Sequence, residues 1–208
     1  FANSCNGAFA NLALTLDLGR LKTTADQLLF DTPLPIAIPY SQSAYALTPD
    51  GDTWQILQTS IGQGQTQMTP IHGGMIAAAI ANGGTLMEPY LVEKVTNANG
   101  AEIRKNVPKS YKRLMTSDEA SQLKDYMKAV VDEGTATMLS GQSYTVAGKT
   151  GTAEYSMDDG EKTHSWFIGF TNVDNPELVI SVIIEGYDGD AGAKAVPIAK
   201  QILDSYYY

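Results

Sequence analysis

The sequence feature that most constrains the fold is an uninterrupted apolar run near the C-terminus, at residues 178–184 (Leu-Val-Ile-Ser-Val-Ile-Ile). A half-exposed strand alternates apolar and polar side chains, whereas this run is apolar everywhere except at Ser181. It therefore predicts a central strand that is buried on both faces and paired on both sides. Such a strand requires covering layers, so the chain must fold around a sheet.

Two other segments of strand-like sequence precede this run, at residues 144–155 and 165–170, with a turn sequence (Asp-Asp-Gly) at 158–160 between them. Three consecutive strands with short connections predict an antiparallel sheet. Helical patterns occur at residues 8–14, 21–29, 70–81, 116–134 and 196–206. The predicted fold class is α+β, an antiparallel sheet flanked by helices, in one continuous unit over residues 1–208.

Local sequence signals place the ends of two helices. Thr69, followed by a proline at the first helical position, is the predicted cap of one helix. Thr116 and Glu119 form the pattern of a capping box at the start of another. Prolines predict an irregular loop over residues 31–52, and residues 90–107 predict a β-hairpin.

Charge and composition exclude several classes of partner and site. The formal net charge is −9 at pH 7, and phosphate-binding surfaces need an excess of Lys and Arg, so we expect no nucleic-acid partner. Cys5 is the only cysteine, which excludes an internal disulfide and a cysteine-built zinc site. We expect it to be a small packed residue. With only His72 and His164 as histidines, we predict no metal site, and we expect no cofactor.

The first candidate for chemistry is Lys149-Thr150-Gly151-Thr152, inside the first predicted strand. A cation and two hydroxyls beside a glycine form a receptor for a carboxylate. Glycine in a strand interior often marks the close approach of a ligand or a second backbone. The alternative interpretation is an edge strand with a solvated lysine and an unimportant glycine, and the motif alone leaves both open.

The second candidate is Ser4-Cys5-Asn6, the only Ser-x-Asn triplet in the chain. Serine and asparagine both accept hydrogen bonds from the free N–H groups at helix starts, so a helix cap is the alternative interpretation. Capping and catalysis are compatible at this position.

Together, and in this order, the two motifs resemble those of the penicillin-binding proteins and serine β-lactamases, which combine Ser-x-x-Lys, a Ser-x-Asn-type triplet and Lys-Thr-Gly. The resemblance covers nearly the whole chain and includes Ile61-Gly62-Gln63-Gly64, Ala81-Asn82-Gly83-Gly84, Gly134-Thr135-Ala136 and Trp166-Phe167-Ile168-Gly169-Phe170. The segment 164–167 (His-Ser-Trp-Phe) is more similar to the monofunctional, class B members. The chain is identified as the C-terminal part of such a transpeptidase domain.

The resemblance implies catalytic roles for three residues in acyl transfer through a serine acyl-enzyme. Ser4 would relay a proton to the leaving amine, and Asn6 would hold the substrate's amide carbonyl. Lys149 would keep Ser4 polarised and favour the anionic end of the donor peptide. The implied activity is that of a D-alanyl-D-alanine transpeptidase that cross-links peptidoglycan.

The resemblance also implies a substrate-binding strand. The hydroxyls of Thr150 and Thr152 would bind the carboxylate of a stem peptide ending in D-Ala-D-Ala, or that of a β-lactam antibiotic. The Thr152 N–H would supply half of the oxyanion hole. The strand edge that includes Gly151, Thr152 and Ala153 would pair with the peptide.

The family's Ser-x-x-Lys segment lies upstream of Ser-x-Asn, and this chain begins three residues before Ser4. Ser121-Gln122-Leu123-Lys124 matches the pattern, but it falls between the other two motifs, and its helical position predicts a solvated face. The resemblance also implies a sheet of five antiparallel strands, the first two of which lie upstream of the nucleophile. We therefore expect the N-terminal part of the domain to be missing and to be a partner of this chain, and the strand beside the missing strands to be a bare edge. We expect the intact parent to be the enzyme and this chain alone to be inactive.

Two alternatives remain open. A β-lactamase or β-lactam sensor domain shares the motifs, and a non-catalytic module would only bind cell-wall or division proteins. The resemblance implies a place on the extracytoplasmic face of the bacterial membrane, where an N-terminal helix outside this chain anchors the parent. Elongation or division proteins are further candidate partners.

Overall fold

The computed structural model describes residues 1–157, 160–187 and 194–208, so the turn predicted at 158–160 lies mostly outside the described residues. The helices are α1 (Asn6–Ala13), α2 (Leu18–Gln27), α3 (Thr53–Ser60), α4 (Pro70–Ala81), α5 (Ser117–Asp132) and α6 (Ala195–Tyr207), with a short 3₁₀ helix at Thr137–Leu139. The strands are β1 (Thr85–Met87), β2 (Lys94–Thr96), β3 (Glu102–Lys105), β4 (Ser110–Arg113), β5 (Val146–Met157), β6 (Gly160–Thr171) and β7 (Val179–Tyr187).

The main sheet is antiparallel with the order β5-β6-β7, which confirms the predicted α+β class. Its register places Thr152 opposite Ser165 on β6, and Phe167 of β6 opposite Val182 of β7. Two small two-stranded ladders accompany it, β2 with β3 and β1 with β4. The hairpin predicted at 90–107 is therefore present with shorter strands, and the β1–β4 ladder was not predicted.

Side chains of β6 alternate between the two faces of the sheet, and helices pack against both faces. On one face, Phe167 is fully buried in a core shared with Ala199 and Leu203 of α6. On the other face, Phe170 is fully buried in a core with Ala77 of α4. Helix α5 contributes to both cores, which fixes its C-terminal end beside β5.

Small residues let α4 lie close to the sheet. A Cβ atom at Gly73 would lie 2.5 Å from the Ile168 Cδ1 atom, so a larger residue there would force the Ile168 side chain to move. Ala77 and Ala79 are buried against their neighbours. The close packing predicted from this alanine-rich segment is confirmed.

The helix ends show which capping signals were correct. The capping box of Thr116 and Glu119 is present. Helix α2 begins at Leu18 rather than at 21, because the Asp17 side chain accepts a hydrogen bond from the Arg20 N–H at 2.9 Å. Thr69 is the N-cap residue of α4, as predicted, and Pro70 follows it at the start of the helix. Its hydroxyl makes no capping hydrogen bond and is buried without a partner among the described residues.

Helix α3 was not predicted from the sequence. It begins directly after the irregular segment at 31–52, with a capping box formed by Asp52 and Gln55. The helix has only eight residues, fewer than the window in which apolar periodicity is normally recognised, and none of them is fully buried. It packs against α1.

Among the described residues, β7 pairs only with β6 and forms an edge of the sheet, which is the bare edge expected where the two upstream strands are missing. Ile180 is buried, at 7% exposure, but Val179 is 36% exposed. A cleft of about 330 Å³ opens between α4 and β7 and is lined partly by Met75 and Ser181. The Ser181 hydroxyl is buried there without a hydrogen-bond partner. The apolar run therefore has one open edge and an incompletely covered face.

An open, apolar edge strand is a template for pairing with another chain. We predict that the isolated 208-residue chain self-associates through β7 or does not fold stably, as light scattering and thermal unfolding would measure. Ile183→Lys should reduce the association, because a charge on an edge strand opposes pairing. A soluble, cooperatively folding monomer would contradict this prediction.

Candidate active site

The side chain of Lys149 joins the two predicted motifs. Lys149 lies in β5, and its Nζ donates hydrogen bonds of 2.8 Å to the Ser4 hydroxyl and 2.8 Å to the Thr150 carbonyl oxygen. The ring of Phe1 lies beneath the ammonium, with 5.8 Å between Nζ and the ring centroid. The fold thus brings residues 145 positions apart into direct contact.

Burial lowers the pKa of the Lys149 ammonium from its ordinary value. No carboxylate among the described residues forms an ion pair with it; its described partners are neutral oxygens and an aromatic ring. A partly buried cation without a counter-charge is costly, and an anionic ligand would offset that cost. The interpretation of Lys149 as a solvated surface lysine is therefore wrong.

Ser4 occupies a backbone conformation that is rare for residues other than glycine, with φ at +50°. Its N–H donates to the Phe1 carbonyl at 3.0 Å, which closes a tight turn before α1. Such conformations cost of the order of 1–3 kcal/mol and cluster at functional sites. The turn directs the Ser4 hydroxyl to Lys149 rather than to the helix.

The helix-cap interpretation of Ser4 and Asn6 is wrong. Cys5 is the N-cap residue of α1, and no side chain caps this helix. The side chain of Asn6 is exposed and has no hydrogen-bond partner among the described residues, so it is free to bind a ligand. Cys5 is also exposed, which contradicts the expectation of a packed residue.

A third segment, which the sequence analysis did not assign to the site, completes it. The hydroxyl of Thr135 lies 2.6 Å from that of Thr150, and its N–H donates to the Ala2 carbonyl at 3.2 Å. A Cβ atom at Gly134 would lie 2.2 Å from the same carbonyl oxygen, so only glycine allows this approach. The only sequence signal for this segment was its resemblance to the family.

The edge of β5 that faces away from β6 is open along the site. The Glu154 N–H on this edge donates to the Gln63 side-chain oxygen at 3.1 Å. Alternate residues of a strand direct their backbone N–H and C=O to the same side. Thr150 and Thr152 therefore present their backbone groups to the open edge, whereas Gly151 and Ala153 direct theirs to β6. The side chain of Thr152 is exposed beside this edge.

Glycines in β5 are required by packing against β6. A Cβ atom at Gly148 would lie 2.4 Å from the Phe167 ring, and one at Gly151 would lie 3.1 Å from the Trp166 Cβ. A side chain at Gly151 would therefore require Trp166 to shift by a few tenths of an ångström. These contacts hold the strand that carries Lys149.

The second Ser-x-x-Lys pattern, on α5, makes no described hydrogen bond with Ser4 or Lys149. Ser121 is exposed on α5, as predicted. Lys124 is only partly exposed, and its Nζ donates to the Ala81 carbonyl at 3.4 Å and lies 6.0 Å from the Phe170 ring centroid. The prediction of a solvated face is thus correct for Ser121 and wrong for Lys124.

Both histidines serve packing. His72 is buried against the Phe30 ring, its Nε2 lies 2.7 Å from the Leu28 carbonyl oxygen, and burial lowers its pKa. His164 stacks on Tyr155. In the described ranges, no group of three or more His, Cys, Asp or Glu residues is placed to hold a metal ion. Within the same ranges, no helix is both long and apolar enough to span a membrane.

A sequence profile of the penicillin-binding protein transpeptidase domain matches residues 1–204. The chain belongs to this family. It is 34% identical over 209 aligned residues to the peptidoglycan D,D-transpeptidase PbpA of Mycolicibacterium smegmatis, covering 98% of this chain and 42% of that protein. The PbpA of Mycobacterium tuberculosis is 31% identical, with 99% and 42% coverage. The chain thus spans about two fifths of the length of these curated relatives.

Solved structures of the family share the fold. The imipenem acyl-enzyme of penicillin-binding protein A from M. tuberculosis superposes with a TM-score of 0.83 at 29% identity and covers 99% of this chain and 46% of that one. The penicillin G acyl-enzyme of the same protein gives a TM-score of 0.81 at 28% identity, and this chain covers 47% of it. In both structures that protein is an acyl-enzyme of a β-lactam.

Gly148→Ala tests whether the transpeptidase strand depends on its glycine contacts. In the full domain we predict a loss of about 1–3 kcal/mol in the free energy of unfolding, because the new methyl group would overlap the Phe167 ring. Gly7→Ala in α1 is the matched control. A Cβ atom there meets nothing within 4 Å, so this variant should be neutral or more stable by up to about 1 kcal/mol. Equal urea midpoints for the two variants would contradict the prediction.

Proposed function

We propose that this chain is the C-terminal part of a serine-type peptidoglycan D,D-transpeptidase domain that is acylated by β-lactams. The observation that carries the proposal is the hydrogen bond from Lys149 to Ser4 beside an open, hydroxyl-bearing strand edge. The similarity to named D,D-transpeptidases favours this function over a β-lactamase or a non-catalytic module.

The substrate carboxylate binds beside the Lys149 ammonium, which has no ion-pair partner among the described residues. The hydroxyls of Thr150 and Thr152 donate hydrogen bonds to the C-terminal carboxylate of the stem peptide, and Lys149 supplies the positive charge. Hydrogen bonds to charged groups contribute about 1.5–3 kcal/mol each. The carboxylate of a β-lactam uses the same groups. The hydroxyl contact between Thr135 and Thr150 orients the Thr150 side chain for this purpose.

Acylation requires a nucleophile, a proton path and oxyanion donors. A serine from the upstream segment attacks the carbonyl of the penultimate D-Ala, and the developing oxyanion accepts from the Thr152 N–H on the open edge. A lysine of the same upstream segment takes the proton of the attacking serine, and Ser4 relays that proton to the nitrogen of the departing D-Ala. The Lys149 ammonium stays charged and keeps Ser4 polarised. Asn6 donates its amide NH₂ to the substrate's upstream carbonyl. An acceptor amine then attacks the acyl-enzyme and completes the cross-link.

The upstream segment of the parent supplies what the described residues do not. An apolar cavity of about 160 Å³, lined by residues that include Met68, Ile76 and Ile168, lies directly beside Lys149. Lys149 lines this cavity and donates to Ser4, so an upstream segment that filled the cavity would lie next to the residue that contacts Ser4. The open edge of β7 offers the same segment a strand to pair with. The upstream segment of the parent is thus a proposed partner of this chain.

The parent acts on peptidoglycan, so we place it on the extracytoplasmic face of the bacterial membrane, held by an N-terminal anchor outside this chain. Proteins of cell-wall elongation or division are its candidate partners there.

Intact-mass measurement after incubation with excess penicillin G tests the proposal. The full domain should gain the mass of one drug molecule, and peptide mapping should locate the adduct upstream of Phe1. The isolated chain should keep its unmodified mass. Acylation of the isolated chain, or of Ser121 in the full domain, would contradict the assignment.

A further inference from the structure

We infer that Gln63 closes the open edge of β5 beyond Thr152 and so limits how many residues of a peptide can add to this strand. This inference rests on the proposed transpeptidase function. On this inference Gln63 determines specificity: it limits the length of peptide that pairs with β5 and does not contact the reacting bond.

The backbone around Gln63 fixes the direction of its side chain. The flanking Gly62 and Gly64 both have positive φ values, of +80° and +82°, which other residues rarely adopt. The Gln63 N–H donates to the Gln58 carbonyl at 2.9 Å, which ties the loop to the end of α3. Since α3 packs on α1, the loop is anchored to the helix that follows Ser4.

The side chain of Gln63 satisfies a strand-edge donor. Its Oε1 accepts from the Glu154 N–H at 3.1 Å, in the position that the carbonyl of an added strand would take. By the alternation of the strand, the next donor toward the site on this edge is the Thr152 N–H. The Gln63 NH₂ group has no partner among the described residues.

The direction of pairing determines which part of the peptide meets Gln63. A peptide whose carboxylate lies at Thr150 and that adds antiparallel to β5 runs toward Glu154 as it leads away from its C-terminus. Its penultimate residue pairs at Thr152. The residue before that directs its carbonyl away from β5, and the carbonyl of the fourth residue from the C-terminus would need the Glu154 N–H, which Gln63 already occupies. Pairing with β5 therefore ends before the fourth residue.

Two thioesters test the inference, because only the longer one has a carbonyl at the position of the fourth residue, in its Nα-acetyl group. The short one is propanoyl thioglycolate, and the long one is diacetyl-L-lysyl-D-alanyl thioglycolate; both end in a carboxylate. In the full domain, Gln63→Ala frees the Glu154 N–H for the long substrate. The ratio of acylation rate constants, long over short, should rise by roughly 2- to 10-fold, the effect of one net backbone hydrogen bond.

Two matched variants control for the loop itself. Gln63→Glu keeps an oxygen acceptor and should leave the ratio unchanged, as should Gln65→Ala, an exposed glutamine in the same loop. A residue that merely tethered the loop would slow both substrates equally in Gln63→Ala. An unchanged ratio in that variant would overturn the inference.

Amide exchange separates the inference from the proposed function. The Glu154 amide should be protected in the wild-type full domain and should exchange faster in Gln63→Ala, whether or not the thioesters react. If no protein reacts with either thioester, the transpeptidase function is refuted. If the Glu154 amide exchanges equally fast in both proteins, the closed edge does not exist and the inference is overturned.

Discussion

The hydrogen bond between Lys149 and Ser4 is the interaction on which the site depends. It forms only if the turn that holds Ser4 at its positive φ meets β5 at the level of Lys149. Gly134 provides the space for the N-terminal segment, and the Thr135 N–H holds the Ala2 carbonyl. Three segments that are distant in sequence therefore share one small network of hydrogen bonds around a cation that has no described counter-charge.

The network in turn depends on how closely β5 and β6 pack. The Phe167 ring fills the space over Gly148 while the opposite face of β6 buries Phe170 against α4. Because interiors are densely packed, a shift of the strand would move Lys149 away from Ser4. Packing and chemistry thus constrain the same few residues, and the outer edge of β5 remains available for a ligand.

The sequence predicted the parts of this structure that local signals determine. The apolar spacing and the capping box located α5, and the alanine-rich pattern located α4. The apolar run alone predicts a central strand, and only the resemblance, which places the neighbouring strands upstream of this chain, predicted the open edge that β7 forms among the described residues. Nor was α3 predicted, because its eight residues are fewer than the window in which apolar periodicity is normally recognised.

The sequence motifs identified residues of the site but did not show how those residues contact one another. Ser4 and Lys149 were paired through resemblance, and their contact follows from tertiary packing over 145 positions. Thr135 and Gln63 carry no distinctive chemistry in the sequence, since a lone threonine or glutamine occurs in any loop. Their contacts with Thr150 and Glu154 exist only in the folded chain.

A double-mutant cycle on Ser4 and Lys149 tests the central claim most directly. In the full domain, Lys149→Ala should slow acylation by a β-lactam by roughly 10- to 150-fold, because it removes a charged contact. Ser121→Ala should have no effect. If Lys149 acts through Ser4, Ser4→Ala should cost much less in the Lys149→Ala background, giving a coupling energy of about 1 kcal/mol or more. Costs that add to within about 0.3–0.5 kcal/mol would contradict the account.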